Sequence, residues 1–358
     1  MESDDKTDAR LNLETLQITP EVLAIIAEID EFKGAWRAVG RVAPDRLTSL
    51  RRVAAIESIA SSTRIEGSAL SDREVERLLS RAHGSLLATR DEQEVAGYAE
   101  VAELVFEQFE AIDLTENVIK QLHENLLKFS DKDERHRGGY KTISNNIEAF
   151  SPEGESLGIV FATATPFDTP RRMTELVEWT RMQLDDRRLH PLIVVAVFAV
   201  VFLEIHPFQD GNGRLSRILT NLLLLRTGYS FMPFCSFERI IEERKERYYL
   251  ALRRTQTTIR SSTPDWMPWV RFFLESLLTH KRQLEQRIEE ELRIMSPLPD
   301  LSVKILERVQ TAGRVTVAEA SRMTGVSRNT IKDHLRALVE AGILVRHGAG
   351  RGTWYALS

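Results

Sequence analysis

Over most of this chain the apolar positions recur every three or four residues, the period of a helix with one buried face. The run EVLAIIAEIDEFKGAW, from Glu21, has this pattern, and LTSLRRVAAIESIASSTRI continues it. SDREVERLLSRA opens with Ser71, followed three residues later by Glu74, a pair that can cap a helix N-terminus reciprocally. Further helices are predicted over 92–110 and 115–129, and in RRMTELVEWTRMQL after Pro170. ILTNLLLLRTG, ERKERYYLALRRTQ and DWMPWVRFFLESLLTHKRQLEQRIEEELR give three more, the last ending in alternating charge. The stretch from Pro191 to Leu203 is different: almost every position is apolar, which predicts a helix buried all round. Residues 1–20 read as a mobile arm ending at Pro20.

Two places break the helical texture. GGYKTISNNIEAFSPEGESLGIVFATATP holds two β-prone pieces about a PEGE turn, a predicted hairpin. SPLPD, residues 296–300, stops a helix and marks a domain boundary. Beyond it, LSVKILERVQ predicts one helix and VTVAEASRMTGVSRNTIKDHLRALVEAG a helix, a turn and a helix. ILVRHGAGRGTWYAL predicts two short strands about a glycine-rich tip, completing a winged helix-turn-helix. The fold class is therefore mainly α.

Composition narrows the function classes. With 358 residues, two or three domains are expected, and 42% hydrophobic content supports a packed core. A net charge of −5 argues against a globally basic nucleic-acid binder but leaves room for a local basic patch. The single cysteine, Cys235, excludes an intrachain disulfide and sits among apolar residues, where a packed thiol is expected. MESDDKTDAR has no apolar core of a signal peptide, and an apolar run of about thirteen residues is too short to cross a bilayer, so a cytoplasmic protein with no membrane partner is expected.

The chemistry concentrates in IHPFQDGNGRLSR, directly after the apolar helix. Pro207 and Gly211-Asn212-Gly213 break one helix and turn the chain sharply into a second, expected to begin at Arg214. The first-turn amides of that helix lack intrahelical partners, and the glycines let an anion approach the backbone. Arg214 and Arg217, three apart, share a face and can fork onto phosphate oxygens. Asp210 is a hard oxygen ligand suited to Mg²⁺ bridging phosphates. His206 is the natural general base beside them. The pattern describes a polyphosphate site with a metal and a base.

Residues His206 to Arg217 resemble the signature of the Fic-domain family, HPFx[D/E]GNGRxxR, with every fixed position filled. Most members transfer AMP from ATP to a hydroxyl of a target protein. The resemblance implies that His206 deprotonates a Tyr, Ser or Thr hydroxyl, that Phe208 packs inward, and that Asp210 binds Mg²⁺. It implies further that Gly211, Asn212 and Gly213 form the anion hole, and that Arg214 and Arg217 hold the β- and γ-phosphates. A minority of the family use other nucleotides or remove AMP. The related Doc toxins phosphorylate, but their motif lacks the second arginine.

Upstream, Ser62-Thr63-Arg64-Ile65-Glu66-Gly67 resembles the family's inhibitory motif [S/T]xxxE[G/N], which pairs Glu66 with Arg217 and makes Ser62 and Gly67 part of the device. Read without the resemblance, the same hexamer is a solvated Glu before a glycine C-cap. The hairpin stands where the family has its flap, with Gly158, Ile159, Val160 and Phe161 nearest the nucleotide and target peptides added by β-augmentation. Tyr248 and Tyr249 fall where relatives place aromatics against the nucleoside, and Gln256 where some carry an adenine-binding asparagine. Asn221 reads as a buried helix–helix hydrogen bond.

The expected organisation is a helical region with the inhibitory helix over 1–112, a Fic core over 113–295 and the winged helix over 296–358. The expected partners are ATP and a hydroxyl-bearing protein, including the chain itself, and a homodimer stays open. A DNA-binding regulator is the rival reading. Arg328, Asn329, Lys332, His334 and Arg336 on the recognition helix, and Arg346, His347 and Arg351 on the wing, would meet phosphates.

Overall fold

The computed structural model describes residues 11–42, 44–80, 87–150, 156–295 and 299–357. The chain forms two compact units, Met1–Arg282 and Gln283–Ser358.

The first unit is helical apart from one hairpin. It contains α1 (Pro20–Val42), α2 (Pro44–Ile65), α3 (Asp72–Leu79), α4 (Arg90–Gln108) and α5 (Glu116–Leu126). The hairpin β1 (Ile147–Phe150) and β2 (Ser156–Phe161) follows. Then come α6 (Thr169–Asp186), α7 (Pro191–Ile205), α8 (Asn212–Arg226), α9 (Phe237–Glu243), α10 (Lys245–Gln256) and α11 (Met267–Met295). The capping box read at Ser71 and Glu74 forms, and a second one at Thr89 and Glu92 opens α4. The short helix α9 carries no clear period in sequence and was not expected.

The apolar run becomes α7, with every residue from Leu192 to Ile205 buried. It packs on α6 and α8, and α8 is covered in turn by α4 and α5. Gly97 permits that layering, since a Cβ there would meet the Leu126 carbonyl. α2 and α4 pack together and on α8 within this first unit. Cys235 is buried at 2% exposure, and Asn221 donates to Glu238 at 2.7 Å, joining α8 to α9.

β1 and β2 pair antiparallel, Glu148 opposite Ile159 and Ala149 opposite Gly158, with register shifts on either side of that pair. The PEGE turn lies outside the described residues. The arm expected over 1–20 is corrected for its second half: Asn12 accepts from the Trp266 indole at 2.9 Å, and Thr15 donates to the Pro264 carbonyl. A buried indole needs an acceptor, and the arm supplies it. Residues 1–10 lie outside the described ones.

The two units divide inside α11, where burial runs out after Leu284 into charged residues. The second unit holds α12 (Asp300–Ala312), α13 (Val317–Thr324), α14 (Arg328–Glu340), β3 (Leu344–His347) and β4 (Trp354–Leu357). Its core gathers Ile305, Val309, Ile331, Leu335, Leu338 and Tyr355. No helix among the described residues is long and apolar enough to cross a membrane.

Candidate active site at the α7–α8 turn

α7 ends on His206, whose backbone sits at φ 52°, ψ 60° in the left-handed region. That conformation costs a non-glycine residue about 1–2 kcal/mol, so the surroundings must hold it. Phe208 is fully buried and stacks on His123, ring centroids 3.8 Å apart and 13° from parallel. His123 Nδ1 accepts from the Gly138 N–H at 2.9 Å, which leaves the proton on Nε2 to donate to the Asp210 carbonyl at 3.0 Å. Burial pushes this imidazole's pKa down to about 4, so the neutral tautomer is fixed. Gly211, at φ 77°, makes the turn, and α8 begins at Asn212, two residues before the expected Arg214. The Asn212 side chain accepts from the Phe208 N–H at 2.9 Å and donates to its carbonyl at 2.7 Å, so it closes the loop from inside.

Two cations stand on the first turns of α8. Arg214, 2% exposed, pairs with Glu94 at 3.2 Å and Asp210 at 3.2 Å. Arg217, 3% exposed, donates to Ser62 Oγ at 2.8 Å, to the Ser62 carbonyl at 2.9 Å and to Glu66 Oε1 at 2.8 Å. Burial opposes the Arg217 charge, but the facing Glu66 carboxylate and the Tyr248 and Tyr98 hydroxyls together more than offset it and raise its pKa. Among the described residues, Arg214 Nε and Arg217 Nη1 are buried without a hydrogen-bond partner. Unpaired buried donors are costly, and here they lie at a helix N-terminus, where an anion would satisfy them.

Glu66 does not project from the helix itself. α2 stops at Ile65, and Glu66 lies in the turn made by Gly67 at φ 106°. Its carboxylate lies over α8, so that a Cβ added at Gly213 would collide with it. Burial alone would raise the Asp210 pKa, but Arg214, the Gly211 N–H, Arg90 and Lys132 together hold it below the usual carboxylate range. The His206 pKa is pushed down to about 4 by burial, with Lys141 acting the same way and Glu66 and Asp210 opposing. The Leu203 carbonyl also opposes the shift, and with its pKa this low the ring is an uncharged base at neutral pH.

Residues 113–224 match the family model described as Fic/DOC family. The chain carries a Fic domain. Residues 298–345 separately match a model described as winged helix-turn-helix DNA-binding. Among curated relatives, the protein adenylyltransferase Fic of Drosophila melanogaster is 27% identical over 202 residues, covering 56% of this chain and 34% of that protein. A probable protein adenylyltransferase of Aquifex aeolicus is 24% identical over 187 residues, covering 52% of this chain and 53% of that one. The chain thus spans about a third of the length of the Drosophila relatives it matches. Of solved structures, a Fic family protein from Desulfovibrio desulfuricans has the same fold at TM-score 0.64 and 24% identity, covering 96% of this chain and 98% of that one. A Fic domain-containing signalling protein from Bacteroides thetaiotaomicron follows at TM-score 0.59 and 26% identity, covering 72% and 94%.

Within the Fic domain, His206, Asp210, Arg214 and Arg217 converge with Glu66 and Ser62, which the chain brings from some 150 residues away. Gly158, Ile159, Val160 and Phe161 lie on β2, although the side chains of residues 147–160 are not among those described. Tyr248 is not an open nucleoside platform: it is 4% exposed and packs edge-on against Trp269. Tyr249, 45% exposed, is the accessible member of the pair and points its hydroxyl towards the Ile65 carbonyl at 3.5 Å. Adjacent helical positions diverge by about 100°, so the two rings face different surroundings. Gln256 is 7% exposed at the end of α10.

Among the described residues no three His, Cys, Asp or Glu side chains converge as a metal cage. Asp210, a lone carboxylate between cations, fits Mg²⁺ of the kind whose remaining ligands are phosphate oxygens and water. Sequence reading missed Glu94, His123 and Arg90, the last placed 3.4 Å from Asp210. Only Glu94 carried a signal, as an acid on the inward face of a helix, which requires a cation.

In the winged helix, Arg328, Asn329, Lys332 and Arg336 are exposed along α14, and Arg346 is exposed on β3. Two of the residues expected to meet DNA have partners within the unit: His334 Nδ1 is within 2.6 Å of the Ser302 hydroxyl, and His347 stacks on Trp354 at 4.1 Å, and both are half-buried. The Arg351 side chain lies outside those described.

Proposed function

We propose that this Fic domain transfers AMP from ATP to a hydroxyl of a protein and that Glu66 restrains it. The observation that carries the reading is the cluster at the start of α8. Two buried arginines with unsatisfied donors, a helix N-terminus and the Asp210 carboxylate lie beside an uncharged histidine. The names of the relatives, protein adenylyltransferases, point the same way.

In this reading the triphosphate occupies the N-terminus of α8, with Arg214 and Arg217 on its distal phosphates. His206 takes the proton of the incoming hydroxyl, whose oxygen attacks the α-phosphorus. The bond to the bridging oxygen breaks and pyrophosphate leaves. Mg²⁺ on Asp210, when bound, offsets the charge accumulating on the phosphates. The preorganised amides and guanidiniums do the same at no reorganisation cost. Glu66 occupies an Arg217 donor and covers Gly213, so a γ-phosphate meets a like charge where it needs a ligand. The test is incorporation of labelled AMP into lysate proteins by the Glu66→Gly variant, with Glu66→Gly/His206→Ala as the control. Equal labelling by both sinks the assignment.

A second activity is favoured by the exposed cations of α14 and by the family model over residues 298–345. Here the C-terminal unit binds duplex DNA through Arg328, Lys332 and Arg336. A mobility shift that weakens with salt tests it, and a shift unaffected by Lys332→Glu refutes it.

A further inference from the structure

Four carbonyls at the end of α7 and in the turn after it are reached from one short segment of chain, and the last of them, Phe208 O, accepts from Asn212 as well. Lys141 Nζ donates to Ile205 O at 3.0 Å, and the Lys141 backbone N–H donates to Pro207 O at 2.8 Å. Asn145 Nδ2 donates to His206 O at 3.3 Å and to Phe208 O at 2.6 Å. Four successive carbonyls around a left-handed histidine are thereby satisfied by two residues.

The ammonium itself is fully used. Besides Ile205 O, Lys141 Nζ donates to Asn145 Oδ1 at 2.8 Å and to Thr163 Oγ1 at 2.9 Å, and Thr163 donates to Asn145 Oδ1 at 3.0 Å. The Thr163 N–H donates to Asn146 Oδ1 at 3.1 Å. Lys141 is 3% exposed and no carboxylate lies in salt-bridge contact with it among the described residues. A buried ammonium without a counter-ion is tolerated only when all its protons find acceptors, and an apolar side chain there would leave those acceptors orphaned. Lys141 and Asn145 precede β1 and Thr163 follows β2, so the cluster grips both feet of the hairpin as well as the His206 turn.

We propose that Lys141, Asn145 and Thr163 are positioning residues that join the His206 turn and the hairpin into one rigid piece, so that a hydroxyl presented along the hairpin arrives in register with the base. This rests on the AMP-transfer reading, in which the hairpin presents the target. The charged groups facing the two ends are Glu204 and Arg172 towards Lys141, and Lys141, Glu66 and Asp210 towards His206.

The experiment compares Lys141→Met, Lys141→Arg and Thr163→Val in the full chain carrying Glu66→Gly. Lys141→Met should lower kcat for AMP transfer roughly 10- to 100-fold, the scale of a misplaced catalytic group. KM for ATP should stay within about threefold, because the cluster touches no phosphate ligand. Lys141→Arg should recover much of the loss by donating to the same oxygens of Ile205, Asn145 and Thr163, and Thr163→Val should lose only a few-fold. A loss shared between kcat and ATP affinity, full kcat in Lys141→Met, or an Arg variant no better than Met would each overturn the proposal. Should Lys141→Met not fold, Thr163→Val decides by the same kcat-against-KM split. A readout independent of turnover is the His206 imidazole resonance in histidine-labelled protein, assigned by loss in His206→Gln. It should broaden or split and titrate at higher pH in Lys141→Met. An unchanged resonance refutes the positioning role, whereas absence of transfer in the Glu66→Gly parent refutes the AMP-transfer reading instead.

Discussion

Replacing Glu66 by glycine should raise AMP transfer, the reverse of what most substitutions at ordered sites do. The size follows from the contacts of Arg217. Its guanidinium is held by Ser62 through two bonds and by Glu66 through one, and only the last joins two charged groups. A hydrogen bond to a charged group contributes about 1.5–3 kcal/mol. Because each 1.4 kcal/mol is tenfold, its loss corresponds to roughly a ten- to a hundredfold gain in the state where Arg217 can accept a phosphate. Removing the like charge over Gly213 works in the same direction. Ser62 keeps the arginine aimed, so the gain should not be offset by a disordered side chain. The assay is labelled-AMP incorporation at equal protein and saturating ATP by wild type, Glu66→Gly, Glu66→Gln and Glu66→Gly/Arg217→Ala. Glutamine, which keeps an acceptor but no charge, should fall between wild type and glycine, and the double variant should lose the gain. A Glu66→Gly protein no more active than wild type, with a slightly lower melting temperature, would make Glu66 an ordinary residue of the helix terminus and refute the restraint.

Four other outcomes are expected. His206→Ala should abolish transfer while calorimetric ATP affinity stays within about threefold, since the ring acts on the hydroxyl and not on the phosphates. Asp210→Ala should lose Mg²⁺-dependent transfer, and a chelator should silence the Glu66→Gly protein; undiminished labelling in chelator would remove the metal. Glu94→Ala should destabilise the fold by about 3 kcal/mol in urea unfolding, because Arg214 would keep only Asp210 as its counter-ion at a buried site. His123 and His206 both have folded pKa values lowered to about 4, so the unfolded state binds more protons as pH falls below about 6.5. Their contribution should be fully present above about pH 6.5 and lost towards pH 4, and melting midpoints that do not fall across that window would contradict their burial as neutral rings.

The parts of the site that could be read from sequence are those that lie together in the chain. His206 to Arg217 is a helix end, a turn and a helix start, and short-range geometry alone puts a base, an acid and two cations around an N-terminus. Glu66 could be matched to Arg217 only through the family resemblance, because nothing in the hexamer around it says which cation it meets. For Tyr248 and Tyr249, sequence left open whether the pair faces the nucleoside or splits into one core and one surface ring. Nor does a residue's type name its neighbours, as His334 and His347 show. Once the three helices and the wing close, one meets Ser302 and the other Trp354.

The chain's own order of residues determined the helical class, the all-apolar α7, the sharp α7–α8 turn and the winged-helix pattern, since each follows from periodicity and turn chemistry within a few residues. The tertiary structure alone decided that His123 braces Phe208 and Asp210, that Glu94 neutralises Arg214, and that Lys141 and Asn145 gather the carbonyls of the His206 turn. The reason is physical. A buried charge or carbonyl must find a partner, but any residue that packing brings near can supply one. The requirement can be read from the sequence, whereas the identity of the partner is set by which elements lie side by side.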